Sequence, residues 1–71
     1  MAVEDSKSGA TAAFRAKIVT IGYVGSYEDE EREKMRGVLR DAGCVVVMEH
    51  WREFEGCLEG IEGGKYVAKF E

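Results

Sequence analysis

The sequence predicts a small α+β fold: a sheet of three strands, with a fourth segment available to it, and one main amphipathic helix packed on one face. Three observations carry that expectation. Residues Ser26 to Gly43, SYEDEEREKMRGVLRDAG, hold a start signal, one apolar stripe and a stop signal for a single helix. Apolar runs of strand length stand on either side of it. Seventy-one residues leave room for one core, because a chain this short hides only roughly 60 % of the surface its unfolded form exposes.

Residues 1–11, MAVEDSKSGAT, lack the basic start and apolar block of a secretory signal and read as a mobile tail. That leaves 12–71 as a single domain and implies a cytoplasmic address. Ala12 to Val24 alternates as a strand does, with Phe14, Ala16, Ile18, Thr20 and Val24 on one face and Arg15, Lys17, Val19, Ile21 and Tyr23 on the other. Gly22 and Gly25 bracket the turn that follows.

In the helix, Ser26 is placed to cap free N–H groups, with Asp29 three residues on as an acidic capping-box partner. Met35, Val38, Leu39 and Ala42 recur on one side, and Gly43 supplies a left-handed stop. Cys44 to Met48, CVVVM, is a β-branched run suited to burial on both faces. Two such strands joined by a helix predict a parallel crossover. Trp51, Phe54, Cys57, Leu58 and Ile61 fall at helical intervals and predict a second short helix over 51–61, against an irregular strand and hairpin, although Gly56 and Gly60 each cost about 1 kcal/mol relative to Ala. Gly63 and Gly64 make a turn, and Lys65 to Phe70, KYVAKF, alternates as a final strand.

The net charge of −4 is unevenly distributed. Up to Gly25 the bases Lys7, Arg15 and Lys17 outnumber the acids Glu4 and Asp5, so the acidity belongs to the remainder of the chain. An acidic body disfavours direct nucleic-acid binding, which needs clustered Lys and Arg, and suits a protein partner with a basic surface. No apolar run approaches the length of a membrane span.

No residue set forms a catalytic signature, so the chain is read as a non-enzyme with no cofactor and no metal. Gly22 to Ser26 joins a strand to a helix but has neither P-loop nor dinucleotide-loop spacing, and the acids Glu28, Asp29, Glu30 and Glu31 would repel an anion there. Cys44, Cys57 and His50 lack metal-ligand spacing, and both thiols lie in runs that read as core.

The sharpest functional expectation is an acidic docking face for a nucleic-acid-binding protein, with Glu28, Glu30, Glu31, Glu55, Glu59 and the aromatic Trp51 as partner-binding residues. This would make the chain a small inhibitor of the kind that phages encode, anti-CRISPR proteins among them. The alternative is an oligomeric small-ligand or flavin-like carrier that gains its pocket around Trp51 and the Gly22 to Ser26 turn. In size and in its order of strand, helix and strand with a late Trp, the chain resembles the dodecins, flavin-binding assemblies of small β-α-β-β subunits. That resemblance carries no residue over. A chain with so little core also favours a homo-oligomer.

Overall fold

The computed structural model describes residues 1–70. Its elements are β1 (Ala2–Glu4), α1 (Lys7–Arg15), β2 (Thr20–Tyr23), α2 (Asp29–Asp41), β3 (Val46–Met48), a 3-10 turn at Trp51–Glu53 and α3 (Phe54–Glu62). The three strands form one parallel sheet in the order β1-β2-β3. Val3 lies opposite Ile21, and Ile21 opposite Val46.

Strand alternation sorts the core into two layers. Val47 packs with Ala10 of α1 and Leu39 of α2, together with Val24 and Cys44, so both connecting helices cover one face. Ile21, Val46 and Met48 point the other way and pack on Cys57, with Phe54 and Ile61 of α3 beside them. Leu39, Ile21, Val24 and Met48 are fully buried. The small sheet is thus sandwiched between helical layers, as parallel strands require.

The first eleven residues are not a tail: they supply β1 and open α1. Ser6 caps α1 by accepting the Gly9 N–H at 3.1 Å. Ala10 and Ala13, the buried positions of α1, are small enough to bring its backbone close to the sheet and have high helix propensity. The segment 12–24 is therefore not one strand. Residues 12–15 finish α1, and only Thr20–Tyr23 pairs. Propensity and capping override the alternation over 12–24.

The main helix also starts later than predicted. Tyr27 N–H donates to the Val24 carbonyl, closing a turn over 24–27, while the Tyr27 ring packs on the core. Helical geometry can begin only beyond that turn, so Glu28 takes the cap position, without a side-chain cap bond, and Ser26 caps nothing.

All three helices end in the same way. After α2, Gly43 N–H reaches the Arg40 carbonyl and Cys44 N–H the Leu39 carbonyl, the paired bonds of a Schellman motif. Gly43 has φ +118°, and a Cβ there would strike the Phe14 ring, so both conformation and contact demand glycine. After α3, Gly64 and Lys65 close the same pair of bonds onto Ile61 and Gly60. After α1 the bonds are Lys17 to Phe14 and Ile18 to Ala13, and here a lysine occupies the left-handed position at φ 60°.

The final strand over 65–70 does not form. Lys65 and Tyr66 N–H both bond the Gly60 carbonyl, which folds the segment onto α3 and turns it from the sheet edges. Its end reaches round to α1, where the Phe70 and Phe14 rings lie 5.2 Å apart.

Two substitutions test this packing. Leu39→Ala removes a fully buried side chain from the α2 layer and should cost roughly 2–5 kcal/mol in denaturant unfolding, whereas an unchanged midpoint would remove Leu39 from the core. Lys17→Gly relieves a left-handed lysine whose strain is about 1–2 kcal/mol, and after the added chain entropy of glycine it should raise the melting temperature slightly.

Candidate functional site

In an open parallel sheet, the chain leaves the carboxyl end of each strand in a loop, and these loops are where sites are built. Here the loop after β2 runs to α2 on one face, and the loop after β3 runs to α3 on the other. The two loops therefore splay apart, and every helix starts at this same end of the molecule.

Most of the acids stand at the starts of α2 and α3 or at the strand ends. Glu28, Asp29, Glu30 and Glu31 stand at the first turn of α2, and Glu55 at the first turn of α3. Glu4 and Asp5 end β1, Glu49 follows β3 and Glu53 closes the 3-10 turn. The opposite end of the molecule holds the bases Arg15, Lys17, Arg40 and Lys65, which follow or close the helices, with the acids Asp41 and Glu62 among them. The net acidity is thereby resolved into a rim around one end.

Two of the bases that remain at the acidic end are committed to its structure. Arg32 Nε donates to the Tyr27 carbonyl at 3.0 Å and its Nη2 to the Gly25 carbonyl at 3.2 Å, while Nη1 lies 2.7 Å from Asp29. Arg36 Nη1 donates to the Val47 carbonyl at 3.2 Å and Nη2 stands 3.6 Å from Glu49. These side chains tie α2 to the loops on either side of it. The Tyr27 hydroxyl adds a third tie by donating to the Asp5 carbonyl.

Trp51 stands at the end of the sheet, 56 % exposed. Its ring centroid is 5.2 Å from that of Tyr23 and 5.9 Å from that of Phe54. The turn that carries it is fixed by Glu53, whose carboxylate accepts the backbone N–H of both Glu49 and His50 at 2.9 Å. Those two bonds hold the exposed Glu53 carboxyl below the usual carboxylate range, the His50 N–H bond contributing most. Beside Trp51 lies a cleft of about 270 Å³ lined by Val3, Glu4, Asp5, Tyr23 and Trp51. Two larger hollows of about 540 and 600 Å³ flank α1 and share Lys7, Thr11 and Arg15.

The nominated residues are only partly brought together. Glu28, Glu30, Glu31, Trp51 and Glu55 share the carboxyl end, all exposed, but α2 and α3 sit on opposite faces of the sheet, so they form a rim rather than one flat face. Glu59 is exposed farther along α3, away from that end. Sequence reasoning missed Glu4 and Asp5, because it assigned them to a tail. The signal that could have found them was Ser6, a cap residue ahead of an alanine-rich run.

The Gly22 to Ser26 turn is no ligand cradle. The Tyr23 ring and the Glu49 carbonyl crowd Gly25, and Arg32 occupies its carbonyl. Among the described residues no group of three or more His, Cys, Asp or Glu side chains is placed to hold a metal ion, and no helix is long and apolar enough to cross a membrane. The Cys44 thiol is pushed up to about 11 by burial and by the Glu4 charge, and the Cys57 thiol is raised by burial and by Glu53. Both are poor nucleophiles in these settings. Comparison with protein-family models, curated sequences and solved structures found no match.

The native protein should therefore react with a thiol reagent at mildly alkaline pH far more slowly than the unfolded chain, with rapid native labelling of Cys44 as the contrary result. The Trp51 turn should respond to acid. Because the Glu53 pKa is lowered by folding, its contribution is complete above the ordinary 4.5 and disappears as pH falls through the lower folded value. Trp51 emission should change over that acid range, and Glu53→Gln should abolish the transition.

Proposed function

We propose that this chain is a non-enzymatic protein-interaction module that docks its acidic rim on a basic, nucleic-acid-binding surface of a partner. The observation that carries the reading is the collection of helix-start and strand-end acids at one end of the molecule, around an exposed Trp51. A charged rim of this kind steers a partner of opposite sign and sets orientation, while the aromatic supplies the buried contact that charge alone does not. The partner's own surface would be one built to hold phosphates, and a phage-type inhibitor that displaces nucleic acid fits this chemistry. The cytoplasm, where such targets are found, is the matching location.

The carrier reading receives less support. Its pocket was to form around Trp51 and the Gly22 to Ser26 turn, and that turn is filled. The β-α-β-β plan of the dodecins also differs from a parallel sheet whose strands are all joined through helices.

The test is charge. Proteins captured from host cells on the immobilised chain should be nucleic-acid-binding proteins, and both added salt and duplex DNA or RNA should release them. The variant Glu30→Lys, Glu31→Lys, Glu55→Lys, Glu59→Lys should keep its circular dichroism spectrum, since all four residues are exposed, and lose the captured proteins. Within this set Glu59→Lys alone should matter least, because it lies off the rim. Undiminished capture by the fourfold variant at low and moderate salt would overturn the reading.

A further inference from the structure

We propose that the cleft beside Trp51 is a receptor for one arginine side chain presented by the partner. The inference rests on the rim reading and supplies its anchor.

The cleft combines two walls of different chemistry. On one side the Trp51 ring is stacked against Tyr23 and Phe54, yet is 56 % exposed, so it offers open aromatic surface from a fixed position. On the other side is Asp5, while Glu4 adds to the lining but turns its carboxylate to Gly9 on the α1 side of the sheet. Among the described residues the ion pairs are Arg32 with Asp29 and Arg36 with Glu49, and neither engages Glu4 or Asp5. A carboxylate beside an open indole repels anions and attracts a cation that also stacks. A planar guanidinium meets both requirements, lying against the ring while its N–H fork faces the Asp5 carboxylate, whereas an ammonium meets only the charge.

Size points the same way. At about 270 Å³ the cleft lies below the roughly 300–1,000 Å³ of small-molecule sites, and it opens at the rim where a partner surface would lie. A single side chain fits that volume. Little reorganisation is needed on binding, because Glu53 and the two aromatic neighbours already hold Trp51 in place.

The test uses isotope-labelled protein and the blocked tripeptide acetyl-Gly-Arg-Gly-amide, compared with its lysine and citrulline counterparts. The chain has one tryptophan, so its indole N–H is a unique nuclear magnetic resonance reporter. The arginine peptide should shift that signal saturably, the lysine peptide should bind about fivefold more weakly, and the uncharged citrulline peptide should give no saturable shift. Asp5→Asn, an exposed substitution that spares the core, should weaken the arginine peptide about fivefold, and Trp51→Ala should remove arginine-over-lysine preference at the remaining cleft signals.

Equal response to citrulline, or an Asp5→Asn protein that binds as before, would overturn the proposal. The double variant Glu30→Lys, Glu31→Lys should retain the arginine response, because those residues lie on the α2 side of the sheet. Loss of the response in that variant, with its fold intact, would place the arginine on the rim and overturn the cleft assignment. Failure of the rim reading shows separately, as salt-insensitive capture of partners by the protein.

Discussion

The structure depends on one requirement: β2 is a central parallel strand and must be covered on both faces. Ile21 turns to α3, and Val24, just past the strand, turns to the layer of α1 and α2. A chain of 71 residues can meet that demand only by using nearly all of its length in the sandwich. Residues near the start are drawn in as β1 and α1, and the segment after α3 is drawn round to Phe14.

The acidic rim follows from the same requirement. Acids at the first turn of a helix are favoured by the helix dipole, which is a local rule. When every helix begins at the carboxyl end of one parallel sheet, that rule gathers the acids of separate elements into a common field. The rim alone is thus explained by helix stability together with topology. Trp51 is not: an indole more than half exposed, beside an Asp5 free of ion pairs among the described residues, has no comparable structural cause. Arg32 and Arg36 contribute by neutralising little of the rim while fixing the loops that shape it, since their hydrogen bonds go largely to backbone carbonyls.

What the sequence disclosed depended on whether a signal was carried by residue type or by geometry. Gly43 announced the end of α2 because a left-handed residue is usually glycine. The identical turn after α1 was hidden because Lys17 occupies it, and without a visible stop the alternation from Ala12 onward read as a strand. Ser26 looked like a cap and caps nothing, whereas Ser6, passed over within the expected tail, is a cap. The difference lies in Tyr27, whose turn and core contact use up the residues around Ser26. The helix over Trp51 to Ile61 was legible from its period, with Gly60 explained by the Tyr66 ring that lies against it. KYVAKF had the pattern of a strand, but its first residues bond the Gly60 carbonyl and turn it from the sheet edges. Of the candidate site, the α2 acids, Trp51 and Glu55 were legible; that they surround one end was not, because sharing an end is a property of topology.

The pairing of the strands also has a kinetic consequence. Thr20 pairs with Ala2 and Val46 with Ile21, so no two strands are joined by a short turn and no hairpin can seed the sheet. The first productive event is the closure of a β-α-β unit, β1 on β2 across α1 or β2 on β3 across α2, and because β2 belongs to both, Ile21 lies in the folding nucleus either way. Loss of side-chain volume at Ile21 would then slow folding.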